Sequence, residues 1–255
     1  MNPKRNRRPL ASLTALTVAS LLTLAGCSGS SDGGEDSKGK KEGGKEATAS
    51  ANPEPEPADA NAPATAAQLK KTLVTKAEAK GYSAQDNAAA NVTPKSDKPQ
   101  CRAIADATAS GTDRTPEPAA WASRSYGSTA SPGLAVTTSL FSYEGEGAQK
   151  TLADLRKAVA ACAGGFSTSG NNGGATVAYT SVKSEQVAAG GDESVSWEMT
   201  GAAQGSEVPM HLTAVRVENT VTLFFTLHLT DPQQAKLPAD LLSTQMAKVK
   251  TTLAK

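Results

Sequence analysis

Apolar residues recur along this chain in two rhythms. In GAQKTLADLRKAVAAC, Leu152, Leu155 and Val159 fall on one face while Asp154 and Lys157 take the other, and Gly164 and Gly165 follow. That three- and four-residue spacing predicts a helix over 148–162. Leu241, Leu242, Met246, Val249 and Leu253 predict a second helix over 238–253, and Leu69, Leu73 and Ala77, stopped by Gly81, predict a third over 64–80. A short helix is expected to start at Cys101 in CRAIADATA.

The second rhythm has period two. WASRSY (121–126), LAVTTSLFSY (134–143), TVAYTSV (176–182), ESVSWEM (193–199), MHLTAVRV (210–217) and VTLFFTLHL (221–229) mix β-branched and aromatic residues with polar ones, and turn-rich segments separate them. Each is expected to be a strand. Strands in neighbouring runs with helices at intervals predict an α+β fold: an antiparallel sheet of about six strands, helices packed on one face.

The last two strands allow a register argument. With Glu218 and Asn219 as a two-residue turn, Val217 pairs with Thr220 and pairing numbers sum to 437. Met210, Leu212 and Ala214 then lie beside Val221, Leu223, Phe225, Leu227 and Leu229 as the core face. The opposite face gathers His211, Thr213, Val215, Thr222, Phe224, Thr226 and His228. A three-residue turn would flip one strand relative to the other. His211, Thr213, Phe224 and His228 are the candidate ligand-binding residues on this reading, set against a helix-covered or solvated face.

The first sixty residues follow neither rhythm. Lys4, Arg5, Arg7 and Arg8 precede an uncharged run from Leu10 to Ala25, which is shorter than the roughly 20 apolar residues of a membrane span. Residues 1–26 therefore read as a signal peptide. Leu24-Ala25-Gly26-Cys27 matches the lipobox of bacterial lipoproteins, in which the Cys is acylated and becomes the mature N-terminus. Palmitate-type chains there would hold the protein on the extracytoplasmic side of the cell membrane, each buried CH2 contributing about 0.8 kcal/mol. From Ser28 to Pro63 there is no Val, Ile, Leu, Met or aromatic residue. Such chain cannot bury enough apolar surface to order itself, so 27–63 is expected to be a lipidated tether reaching at most about 110 Å, and 64–255 a single globular domain.

Loss of the signal leaves 22 Lys and Arg against 25 Asp and Glu, with no basic stripe, so nucleic acid is not an expected partner. With Cys27 acylated, Cys101 and Cys162 are left as a pair in an oxidising compartment and are expected to form a disulfide. No catalytic set, metal site or cofactor is expected. GSSDG at 29–33 fits G-x-S-x-G but lacks the strand-to-helix elbow that motif requires. His211 and His228 are the two histidines, and no HExxH, phosphate loop or calcium loop is present. Asp192 and Glu193 are neighbours, expected in a solvated turn.

Several stretches together, LKKTLVTKAEAKGYSAQ, SLFSYEGEGAQKTLADLRKAVAACAGGF, GGDESVSWEM and VRVENTVTLFF with a later helix containing Gln245, resemble actinobacterial surface lipoproteins related to the extracellular sensor domain of PknH-type kinases. The resemblance implies an antiparallel sheet with helices, a solvent-exposed cleft, and a sensing or ligand-binding role without catalysis. The kinase sensor domain is held by two disulfides, whereas this chain can form one. The expected function is a ligand-binding or sensor-like module taking a small molecule, lipid or envelope protein. An envelope interaction or structural module is the alternative, and an enzyme with an unrecognised site a third.

Overall fold

The computed structural model describes residues 62–89, 93–171, 174–203 and 206–253; the signal segment, Cys27 and the tether through residue 61 lie outside them. Among the described residues, nine strands form one antiparallel sheet: β1 (Tyr82–Asp86), β2 (Lys95–Ser96), β3 (Ala120–Ser128), β4 (Leu134–Ser142), β5 (Phe166–Asn171), β6 (Ala175–Glu185), β7 (Glu193–Ala203), β8 (Ser206–Val217) and β9 (Thr220–His228). Their spatial order is β1-β3-β4-β9-β8-β7-β6-β5-β2. The six expected strands are the contiguous centre of this sheet. The three added ones, YSAQD, KS and FSTSGN, form its margins. Margins are polar because an edge strand meets water and has less apolar surface to bury.

The β8–β9 hairpin adopts the expected register, Val217 opposite Thr220 and Met210 opposite Leu227. Glu218 has φ 51°, which fits the left-handed turn conformations that match strand twist in a two-residue hairpin loop. Leu229, expected on the core face, lies just beyond β9 and is 74% exposed.

Helices cover both faces of the sheet, which corrects the one-face expectation. Against one face lie α2 (Arg102–Ala107) and α3 (Gly147–Ala161), enclosing Trp197, Met199, Leu212, Ala214, Val221 and Leu223. Against the other lie α1 (Ala66–Thr72) and α4 (Ala239–Leu253), enclosing Tyr126, Val136, Leu140, Val215, Val217 and Phe224. The reason is legible in β8 and β9. Leu212 and Ala214 alternate with Val215 and Val217, and Leu223 sits beside Phe224, so both faces of these strands are apolar and both require cover. Burying each large side chain contributes about 1.5–3 kcal/mol.

The Cys101–Cys162 disulfide forms, with Cα atoms 5.9 Å apart and both residues buried. It joins the start of α2 to the end of α3, on the α2/α3 face. Gly165 follows at φ +79°, where a Cβ would strike the Tyr179 carbonyl oxygen of β6, so glycine is required for the chain to turn off the helix against the sheet.

α1 stops at Thr72, well short of the expected residue 80. It opens with a capping box in which Thr65 and Gln68 satisfy each other's backbone groups. It ends because Leu73 leaves the helix in extended conformation and takes Val74 with it into the core, both almost fully buried. Two separate pieces thus share the apolar spacing that suggested one long helix.

A sheet-floor cleft and the histidine-bearing face

On the α2/α3 face, the apolar floor gives way to hydroxyls toward β3. The rows Ser123–Ser139–Leu223 and Ser125–Thr137–Phe225 run across β3, β4 and β9. Asn87, just after β1, donates from Nδ2 to Ser123 Oγ at 2.9 Å and accepts from Ser125 Oγ at 3.1 Å. Ser139 donates to Ser123 at 2.9 Å. Because the Ser125 proton goes to Asn87, its 2.9 Å bond with Thr137 has Thr137 as donor. Acceptor lone pairs remain on Thr137 and Ser139.

Those two residues, with Asn87, Ser125, Leu223 and Phe225, line an open cleft of about 350 Å³ beneath the C-terminal end of α2 at Ala107–Ser110. Among the described residues, no charged side chain lines it. This site was absent from the expected set, although its signal was present: serines and threonines occupy alternate positions 123, 125, 137 and 139 of two predicted strands.

Ala107 and Leu223 also border a small recess of about 20 Å³, room for about one water, whose mostly apolar wall carries Asp106, Arg114, Tyr143 and Thr151. Arg114, nine-tenths buried, stacks 3.8 Å from the centre of the Phe141 ring and donates from Nη2 to the Ala109 carbonyl at 2.6 Å. Its Nε has no hydrogen-bond partner among the described residues. Asp106 accepts from Arg102 Nε at 2.6 Å and from the Thr115 amide at 3.2 Å. Burial pushes the Asp106 carboxyl up despite Arg102, and burial lowers the Arg114 guanidinium. Tyr143 lies beside Thr151 and Arg114 without a hydrogen bond of normal geometry, and burial raises its hydroxyl. Arg114 also ties down the chain that roofs the cleft, through Ala109.

The four candidate ligand-binding residues share the α1/α4 face but do not form one floor. Phe224 is wholly buried in the core. Thr213 is buried and accepts a 3.1 Å hydrogen bond from Ser196 on β7. His228 is buried at the sheet end, its Nδ1 receiving the Asp231 amide at 2.9 Å and its Nε2 lying 3.2 Å from Ser131 Oγ. An Nδ1 that accepts fixes the tautomer with the proton on Nε2, which then donates to Ser131. A general base needs the reverse arrangement, with a free Nε2 facing the serine. His228 therefore pins the β3–β4 turn to the chain leaving β9.

His211 is the exception. Its Nδ1 lies 3.0 and 3.1 Å from the two carboxylate oxygens of Glu185 on β6. Glu198 on β7 sits directly opposite it in the ladder. These three are the described residues whose donor atoms could meet at one metal ion.

Asp192 and Glu193 are not merely a solvated turn. Asp192 precedes β7, and both acids close on one guanidinium, Arg216 Nη1 reaching Asp192 at 3.0 Å and Nη2 reaching Glu193 at 3.0 Å. Arg216 is thereby neutralised at the end of the β8–β9 hairpin.

No family model matches the chain, and no curated protein matches it. Among solved structures, it is similar to the extracellular domain of PknH from Mycobacterium tuberculosis at 12% identity, over 75% of this chain and 99% of that one, with a TM-score of 0.51. A protein of Mycobacterium smegmatis aligns at 14% identity over 72% of this chain and 95% of its own, with a TM-score of 0.37. The described domain thus has a fold like that of the PknH extracellular domain, with a single disulfide between Cys101 and Cys162.

Proposed function

We propose that the chain is a lipid-anchored, extracytoplasmic binding or sensor-like module without catalytic activity. Cys27 carries the acyl anchor, 27–63 is the tether, and 64–255 is the domain, which takes a small ligand in the cleft over Ser125, Thr137, Ser139 and Phe225. The observation that carries this reading is the cleft itself: about 350 Å³, open, with a hydrogen-bonded hydroxyl floor and an apolar flank. A concave site with a few convergent polar groups is the ordinary form of a ligand pocket. A lining without charge among the described residues favours a neutral, hydroxyl-bearing ligand, such as a polyol or sugar, whose ring can lie against Phe225. The likeness of fold to an extracellular domain and the disulfide support the compartment.

Two experiments test it. Native mass spectrometry of the mature protein purified from its host is expected to show a co-purifying small molecule that Thr137→Val and Phe225→Ala both diminish. A ligand retained equally by both variants would contradict the cleft assignment. Cys27→Ser is expected to release the protein from the membrane fraction; unchanged retention would contradict the anchor.

A further inference from the structure

We propose that Glu185, Glu198 and His211 form a binding site for a divalent transition-metal ion, with zinc the best match to the donors. The site is independent of the cleft, on the α1/α4 face where β6, β7 and β8 run past the region that α1 and α4 cover. Each ligand comes from a different strand, so three adjacent strands of the sheet hold the donors in place. His211 stands opposite Glu198 in the β7–β8 ladder, and Glu198 opposite Lys183 in the β6–β7 ladder. Glu185 reaches across from two residues further along β6 to put both oxygens within 3.1 Å of His211 Nδ1.

The donor atoms of the three residues all lie within 4.8 Å of one another. Zinc binds imidazole nitrogen and carboxylate oxygen at about 2.0–2.2 Å, which puts tetrahedral ligands about 3.4 Å apart. The Glu185–His211 edge, at 3.0–3.1 Å, must therefore open by about 0.3–0.4 Å, while the edges to Glu198 must close to that same spacing. Rotation of the two Glu side chains supplies both changes without moving a strand, since the Glu185 side chain is 32% exposed and Glu198 is half-buried. One imidazole with two carboxylates is a nitrogen and oxygen set, which suits zinc and its first-row neighbours better than magnesium or calcium, whose ligands are all oxygen. Three protein ligands leave one tetrahedral position for water.

Glu198 supplies the second argument. Its half-buried carboxylate, beside a second carboxylate, has no hydrogen-bond or ion-pair partner among the described residues. Lys183, its ladder neighbour, makes no ion pair with it among the described residues. Two acids converging on one imidazole with a spare carboxylate form an anionic socket, and a dication is the charge that fills it.

The test uses the full mature chain as its Cys27→Ser variant, without a histidine tag, titrated with zinc chloride by calorimetry and with cobalt chloride by visible absorption. The expected result is one zinc per chain and cobalt d–d bands that zinc displaces. Magnesium chloride at the same concentration is expected to give no heat. Glu198→Gln, which disturbs no hydrogen bond among the described residues, and His211→Asn are each expected to weaken zinc binding at least tenfold. Zinc binding that persists undiminished in Glu198→Gln and His211→Asn, or the absence of saturable binding in a chain shown folded by circular dichroism, would overturn the site.

Discussion

Gln245, wholly buried on α4, closes both backbone groups that α1 leaves open where the chain departs from it: its Oε1 accepts the Val74 amide and its Nε2 donates to the Thr72 carbonyl, each at 3.0 Å. The other side of Val74 is held as firmly. Its carbonyl accepts from Tyr126 Oη at 2.7 Å and from Arg124 Nη1 at 2.9 Å. An early helix, a late helix and a central strand thus meet on one buried peptide.

Replacing Gln245 with Leu leaves the Val74 N–H and Thr72 C=O buried and unpaired. Each unsatisfied group costs about 1–3 kcal/mol, so a loss of about 2–6 kcal/mol is expected for the two, read as a lower urea midpoint. Gln245→Glu keeps the acceptor for Val74 but loses the donor to Thr72 and brings a buried carboxylate against that carbonyl. It is expected to destabilise at least as much.

The disulfide joins positions 61 apart in sequence and should constrain the unfolded chain accordingly. A thiol count on the denatured, unreduced mature chain is expected to find neither Cys101 nor Cys162 free. Substituting both with Ala is expected to cost about 2–4 kcal/mol in the same urea titration.

Acid sensitivity follows from Glu78, whose carboxylate is held down to about 2 by its hydrogen bond from Lys248 and then by those from the Thr75 amide and hydroxyl. Because the folded value lies below the unfolded one, this stabilisation is present above about pH 4.5 and is lost as pH falls toward 2. Lys70 and then Arg124 lower Asp86 as well, adding to the same trend. Asp106, raised by burial, acts in the opposite sense: its contribution is present in acid and is lost as pH rises through its folded value. Glu78 is 41% exposed, so solvent screening leaves about 0.5–1 kcal/mol. Glu78→Gln is expected to flatten the fall in melting temperature between pH 5 and 2 without removing it.

Much of the fold was legible because its centre obeys simple periodicities. The six inner strands, the four helices in outline and the 437 register of the hairpin all follow from apolar spacing and one turn. The margins did not announce themselves: YSAQD and FSTSGN pair because the sheet offers them an edge, which composition alone does not show. The double cover is written in Val215, Val217 and Phe224, of which Val215 and Phe224 belong to the face read as a possible ligand floor. Burial by α4 and α1 took those positions instead. Of the histidines, His228 became a structural pin, because Nδ1 meets backbone amides that spacing cannot predict. The cleft was hidden for the opposite reason, since isolated serines in a strand are ordinary, and only the pairing of β3 with β4 and of β4 with β9 brings Ser123, Ser125, Thr137 and Ser139 into one hydroxyl network.

The most direct test of the binding account is ligand-titration NMR on the labelled mature chain as its Cys27→Ser variant, using a panel of neutral saccharides and polyols together with the compound found by mass spectrometry. Saturable shifts are expected at Asn87, Ser125, Thr137, Ser139 and Phe225 and at the α2 end over Ala107–Ser110, with Thr213 and Phe224 unmoved. Shifts that cluster elsewhere, or a cleft that stays silent to every compound while the protein remains folded, would contradict it.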